Sequence, residues 1–398
     1  MNKGALENIR VLDLTRVLAG PLCTMMLADM GADVIKIEIP VVGDDTRAFG
    51  PFINGESLYY ANINRNKKGI TLNLKDPEGK RLFLEMARQV DVVVENYRPG
   101  VMDKLGLGYD ELAKVNDQII YAAVSGFGCY GPYTERPGYD IIAQATGGLM
   151  SITGNPGDGP MRVGNAMGDV LGGLSLVIGI LAAINGRTVT GRGQRVDVSL
   201  VDSVVASLET GIQRYFVTGK LPEKLGNRYA AAYPYDSFIA KDGYFVIGCG
   251  NQKLFEKFVN YAIKKPELLT DERFATNDLR CINHAPLKAI IEEWSKDYTI
   301  DEAVQMVSDA GVPAAPIFDL KRVTEDEHIA KAREMFVTVN HPVIGEVKLN
   351  GCHVKLFDTK PTIRTHAPAL GQDNESVYKE MLDLGPEDLK KFKARGII

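Results

Sequence analysis

The chain has 398 residues, of which 45% are hydrophobic and 24% charged, with a formal net charge of −5. That length exceeds what a single core usually serves, so two or three domains are expected in an ordinary globular composition. The mild acidity provides no electrostatic footprint for nucleic acid or an anionic membrane surface, which leaves a small molecule as the expected partner.

Apolar runs and turn residues predict a strand over 9–14, a helix over 22–30 stopped by Gly31, and a strand over 33–37, which together make a βαβ unit. The alternation continues with a helix over 79–90, a strand over 92–95, a helix over 109–116 and a strand over 119–124. Such alternation predicts an α/β fold with a Rossmann-like parallel sheet, whose ligands sit beyond the carboxyl ends of the strands. The loops 15–21, 96–100 and 125–132 are therefore the ones to watch. The last holds Gly126, Gly128 and Gly131, formally G-x-G-x-x-G, but Pro132 and a polar stretch follow where a dinucleotide fingerprint would open a helix, so a turn is expected. Further strands are expected over 194–199, 336–339 and 346–349, a hairpin over 235–248, and a long helix over 200–218. Additional helices are expected over 254–262, 287–294, 375–382 and 386–394. A polar, irregular stretch near 221–234 reads as a linker. The expected organisation is a large α/β domain over 1–225, a smaller α+β domain over 226–328, and a return to the large domain over 329–398.

The most informative segment runs from Val163 to Asn185, where Asp169 is the one charge among glycine, alanine and aliphatic residues. An ionised acid in apolar surroundings must find donors, shift its pKa or face a site that uses it. Gly164, Gly168, Gly172 and Gly173 would leave room for a ligand, and Asp169 also reads as the N-cap of the helix that follows. The uncharged run 170–184 is shorter than the roughly 20 residues of a membrane span, so it is read as a buried helix.

Other chemistries lack their signatures. All five histidines lie after residue 280, and no nucleophile elbow, H-E-x-x-H or C-x-x-C pattern is present, so no metal site is expected. The start, MNKGALENIRVLDL, lacks the apolar core of a signal peptide, and five widely spaced cysteines fit free thiols, so the expectation is a cytoplasmic protein.

Several ordered blocks carry a resemblance that covers essentially the whole chain. They are VLDLTRVLAGP (11–21), GADVIKIE (31–38), NRNKKGITLNLK (64–75), DVVVENYRPG (91–100), GYDIIAQATGG (138–148), Gly168-Asp169 and TGRGQRVDVSL (190–200) with Asp202. In these the sequence resembles the class III coenzyme A transferases and the related acyl-CoA racemases. The resemblance implies two open rings threaded through one another as an interlocked homodimer, with Asp169 as the nucleophile. It implies no permanently bound cofactor, coenzyme A being both substrate and covalent intermediate. By resemblance, CoA would be contacted by Leu18, Ala19, Leu72, Asn73, Leu74, Lys75, Asn96, Tyr97, Arg98, Lys104, Pro137, Gly138, Tyr139 and Asp140. Phosphates need cations, which Arg98 and Lys104 supply near a strand's carboxyl end, and Lys67 and Lys68 are further candidates.

Two departures bear on the substrate. The formyl-CoA type carries glutamine where Leu18 stands and arginine where Ile39 stands, and its glycine-rich flap is matched only loosely by Gly248, Cys249, Gly250, Asn251 and Gln252. Formate is therefore disfavoured, while the segments around Arg47 and 57–60 look like those of transferases acting on oxalate, succinate or glutarate. The acceptor is expected to be a short-chain dicarboxylate whose second carboxylate meets Arg47, with backbone N–H groups near Gly248 stabilising the oxyanion. The competing readings are an acyl-CoA racemase and a non-catalytic CoA-binding protein. The racemase's catalytic histidine falls at Tyr139, and a phenol with an ordinary pKa near 10 is a poor base at neutral pH.

Overall fold

The structure, a computed structural model, describes residues 4–398. It divides into two compact units: one is formed by the chain up to Leu149, Arg162–Gln213 and Glu327–Ile398, the other by Met150–Met161 and Arg214–Asp326. The second unit therefore also takes in the short excursion 150–161, for which the sequence reading had no signal.

The first unit is built on six parallel strands: β1 (Arg10–Asp13), β2 (Asp33–Glu38), β3 (Lys68–Thr71), β4 (Val92–Glu95), β5 (Ile120–Ser125) and β6 (Arg195–Ser199). Their order across the sheet is β3-β2-β1-β4-β5-β6, every neighbouring pair being parallel. Period-two alternation sends Leu12, Ile35, Ile37, Val93 and Tyr121 to one face and Val11, Val34, Val92, Val94 and Ile120 to the other. At the central strands β4 and β5 both faces are buried, which is why those two read as continuous apolar runs, while the edge strand β6 leaves Arg195 and Asp197 exposed. Helix α1 (Ala19–Asp29) covers the second face with Cys23, Met26 and Leu27, and helix α2 (Pro77–Ala87) covers the first with Leu82, Phe83 and Met86. Helix α2 begins on Asp76, whose side chain accepts from Glu78 N, with Pro77 where a missing N–H costs nothing.

Strand β3 is an edge, and the C-terminal segment of the same unit covers it. Gly69 N donates to Asp373, Asp373 N returns to Gly69 O, and Thr71 N donates to Asn374 Oδ1. Sequence patterning missed β3 because it opens with Lys68, directly after Lys67, and both look like surface cations.

Helix α3 (Asp140–Thr146) is short, while α4 (Met167–Thr190) is the longest helix. Among the described residues α4 is the one helix long and apolar enough to cross a membrane, but Leu176, Val177, Ile180 and Ala183 bury one of its faces against the sheet and α1. Two of its glycines are used for packing. A Cβ on Gly172 would lie 2.5 Å from Leu200, and one on Gly173 would lie 2.7 Å from the Ala19 carbonyl. These positions admit neighbouring helices, not the ligand that the sequence reading assigned to them. The expected long helix over 200–218 breaks into Leu200–Ala206 and Gly211–Thr218, with Glu209 left-handed at φ 51° between them.

The second unit centres on a three-stranded antiparallel sheet of β7 (Tyr235–Ala240), β8 (Gly243–Gly248) and β9 (Ala314–Pro316), with β8 in the middle. Phe238, Phe245, Phe255, Phe258 and Phe274 fill its core. Arg280 is fully buried there, donating to the carbonyls of Tyr233 and Phe274 and to Gln252.

Charged side chains lie inside the first unit as well. Lys67 meets Asp13 at 3.0 Å and Lys36 meets Asp44 at 2.9 Å, all four side chains being wholly inaccessible. Although burial alone would raise it, Lys67 and Lys36 hold the Asp13 carboxyl below its ordinary pKa; burial draws Lys67 down to about 8. Removing one partner strands the other charge, so Lys67→Met should cost roughly 3–5 kcal/mol in equilibrium urea unfolding. The double variant Lys67→Met/Asp13→Asn should recover part of that loss.

Candidate active site

Counting outward from β1, the strand order reverses between β1 and β4, and in such sheets ligands bind beyond the carboxyl ends at that switch point. A cavity of about 360 Å³ lies there. Its walls are Arg16–Ala19 after β1, Asn96–Pro99 after β4, Ser125 and Gly126 at the end of β5, Arg136–Tyr139 before α3, and Asp169 on α4.

The loop after β1 is held from several sides. Asn96 clamps it in both directions, accepting from Arg16 N at 2.8 Å and donating to Arg16 O at 2.6 Å. Val17 adopts φ 68°, the left-handed region that a β-branched residue rarely enters. Such strain persists only where surrounding contacts over-determine it. Here Val17 N reaches Asp44 Oδ1 at 3.3 Å, and the buried Lys36 ammonium ties the Thr15 carbonyl to Asp44 Oδ2. Across the cavity, Gly126 and Gly138 pack backbone to backbone: a Cβ on Gly126 would stand 2.6 Å from Gly138 Cα. Gly128 and Gly131 occupy the left-handed turn at φ 84° and 93°. The formal G-x-G-x-x-G is thus a turn with one close backbone approach.

Asp169 stands in the first turn of α4, two residues after Met167, with Ala166 at the N-cap position. The carboxylate is therefore inside the helix and not its cap. Its pKa is pushed up to about 7, first by burial and then by the negative charge of Asp140, with Arg162 opposing. Asp140 is itself buried and fully engaged: it accepts from Gly168 N at 2.8 Å, from Gln144, and from Arg162 at 3.2 Å. Burial and the charges of Asp169 and Asp44 raise the Tyr59 phenol, which places that side chain within electrostatic reach of Asp169.

Of the residues proposed from sequence, Asp169, Leu18, Ala19, Asn96, Tyr97, Arg98, Pro137, Gly138 and Tyr139 line this one cavity. Asp140 lies behind it, beneath the start of α4. Leu72, Asn73, Leu74 and Lys75 follow β3 and do not line it; Leu72 and Leu74 are buried in the core, and Asn73 N bonds the Ile397 carbonyl. Lys104 is exposed on the short helix Val101–Leu105. Lys67 is buried against Asp13, and Lys68 pairs with Asp33 and Glu380, so neither is free for a phosphate. Gly248, Cys249, Gly250 and Asn251 belong to the second unit, where Cys249 is buried and Asn251 caps a helix by accepting from Leu254 N.

Arg47 differs most from its expected role. Glu38 holds it bidentately at 2.8 and 2.7 Å, Nη2 also meets the Tyr60 hydroxyl and the Pro368 carbonyl, and the guanidinium lies 3.8 Å over the Tyr60 ring. The Nε–Nη2 edge of Arg47 is thus occupied by its own chain, and Arg47 does not line the cavity that holds Asp169. The cations that do line the cavity are Arg16, Arg98 and Arg136, and no histidine lines it. Arg16 and Arg136 were missed because each sits in an ordinary turn sequence. The one signal available for Arg16 was its place just after β1.

The profile of CoA-transferase family III matches residues 6–374. Acetyl-CoA:oxalate CoA-transferase of Acetobacter aceti is 42% identical over 95% of this chain and 96% of its own length. Succinyl-CoA:glutarate CoA-transferase of Mus musculus is 39% identical over 99% of this chain and 90% of its own. The crystal structure of a CAIB/BAIF family protein from Brucella suis superposes with a TM-score of 0.83 at 37% identity, covering 96% of this chain and all of that one.

The raised Asp169 pKa has a definite sign. The folded state holds this proton more tightly than the unfolded chain, whose value is about 3.9. The stability it contributes is therefore fully present below about pH 4 and lost as pH rises through about 7. Asp169→Asn should accordingly match the wild type in thermal unfolding near pH 4 and exceed it above pH 7.

Proposed function

This chain belongs to CoA-transferase family III, and we propose that it moves coenzyme A from a short-chain acyl-CoA to a dicarboxylic acid through a thioester on Asp169. The observation carrying the proposal is a half-buried carboxylate, opposed by Asp140 and set in the cavity at the switch point of the sheet. The two relatives compared above bear names pairing an acyl-CoA with oxalate or glutarate, both dicarboxylates.

The chemistry is nucleophilic covalent catalysis. Asp169 attacks the thioester carbonyl; the C–S bond breaks, leaving an acyl-aspartyl anhydride and CoA thiolate. The thiolate attacks the aspartyl carbonyl and expels the donor acid as its carboxylate, leaving CoA on Asp169. The acceptor carboxylate attacks that thioester, releasing the thiolate once more, and the thiolate takes the acceptor's acyl group to regenerate free Asp169. One thioester is exchanged for another, so no ATP is consumed. The exposed guanidinium groups of Arg98 and Arg136, the latter stacked 3.7 Å over Tyr133, are suited to CoA phosphates at the cavity mouth.

We further propose the interlocked homodimer that the resemblance implies. Apolar surface left bare on the single chain supports it: Ile178 on α4 is 68% exposed, and Phe216 and Val217 are 75% and 86% exposed.

Purified protein offered acetyl-CoA or succinyl-CoA with a series of acids should form new acyl-CoA thioesters, identified by mass spectrometry. Asp169→Ala should lower turnover by at least about 1,000-fold. In wild type given donor alone, peptide mapping should find CoA on Asp169. Because the attacking group must be ionised, kcat/KM should rise with pH through about 7. Asp140→Asn, which removes the opposing charge, should move that limb to lower pH. Residual turnover in Asp169→Ala above that level would remove Asp169 from the nucleophile's role.

A further inference from the structure

We propose that Arg16 is the residue that selects a dicarboxylate, taking the remote carboxylate of the acyl group while Asp169 works on the other end. This rests on the reading of the protein as a dicarboxylate CoA-transferase. It replaces Arg47, whose Nε–Nη2 edge is occupied by Glu38 and which does not line this cavity.

The two arginines make the argument by contrast. A guanidinium offers a carboxylate the edge formed by Nε and Nη2, two parallel N–H groups in a fixed fork. In Arg47 that edge is full, Nε on one oxygen of Glu38 and Nη2 on the other. In Arg16 the same edge is half filled. Nη2 meets Asp45 Oδ2 at 2.5 Å, and Nε is buried without any hydrogen-bond partner. A buried donor left unmet is costly, so the arrangement is one that a correctly placed second oxygen would improve.

Arg16 is also aimed by its backbone. Its N–H and C=O are both held by Asn96, and the next residue is locked in the left-handed conformation by Asp44, so the side chain leaves a fixed point on the cavity wall. Arg16, Asp45 and Asp169 line the same cavity. Asp45 is a displaceable stand-in. Its side chain is 46% exposed beside an Arg16 that is 34% exposed, so it can return to water when a substrate carboxylate takes both N–H groups of the fork.

Transfer runs in both directions over the same steps, so the acyl group of a donor occupies the acceptor's position. Arg16 should therefore act on a dicarboxylic acceptor and on succinyl-CoA as donor, but not on the CoA part of either. With acetyl-CoA as donor, kcat/KM would be measured for glutarate and for valerate, the five-carbon acid lacking the second carboxylate. Arg16→Gln should reduce the glutarate-to-valerate preference by about 10- to 100-fold, mainly through the glutarate KM. Arg16→Lys, which keeps the charge and loses the fork, should fall between. The preference for succinyl-CoA over butyryl-CoA should fall in parallel, and Asp45→Asn should lower the glutarate KM. An unchanged preference in Arg16→Gln, or equal loss with both acids, overturns the assignment of Arg16 alone. A wild type that prefers valerate to glutarate overturns the dicarboxylate reading and this inference with it, and is seen before any variant is made.

Discussion

Beneath the cavity, four charges are shut away from water: Asp13 with Lys67 and Lys36 with Asp44. Each pair costs desolvation that its attraction offsets only when geometry and hydrogen bonding are complete. Here they are complete. Asp13 also accepts from Thr15 N, from the Thr15 hydroxyl and from Thr24, and Asp44 accepts from Thr46 twice. The charges come from β1, from β2, from the residue just before β3 and from the loop after β2, so this lattice ties strand ends and loops to each other through directional contacts. The left-handed backbone at Val17 and the fixed exit of Arg16 are local consequences of it.

A second constraint is close backbone packing around Asp169. Gly172 and Gly173 let α4 settle against α1 and Leu200, and Gly126 against Gly138 brings the loop after β5 onto the approach to α3. Asp140 then spans the two, anchoring the first turn of α4 through Gly168 N. The carboxylate on that turn is thus placed by backbone contacts, which hold position more tightly than flexible side chains, and its elevated pKa follows from the same enclosure.

The legible part of the fold was what depends on periodicity. Alternating apolar strands and amphipathic helices gave the parallel sheet, and a solitary acid in an apolar run marked Asp169. What escaped depends on partners that only the folded backbone brings together. Lys67 reads as a surface cation because nothing local announces Asp13, and Arg47 reads as a substrate ligand because nothing local announces Glu38. The run 200–218 has helical composition throughout, and its break at Glu209 is a tertiary effect. Arg16 lies inside the segment VLDLTRVLAGP without any feature separating it from its neighbours; only the unfilled edge of its guanidinium in three dimensions distinguishes it. The candidate CoA contacts divided the same way: those on loops after β1 and β4 converge on the cavity, while Leu72–Lys75 lie beyond the edge strand β3.

That edge strand has a consequence for the order in which the molecule is made. Its N–H groups are satisfied by Asp373 and Asn374, roughly three hundred residues later in the chain, after the whole second unit has been synthesised. Until then a growing polypeptide carries an open parallel strand with unpaired donors, the template on which chains join edge to edge. At a synthesis rate of about 5–20 residues per second this exposure lasts on the order of tens of seconds. Lys68, pointing from that strand toward Asp33 and Glu380, then has a role besides its ion pairs. A charge on a bare edge disfavours the pairing of a second chain, and Lys68 supplies one at this edge.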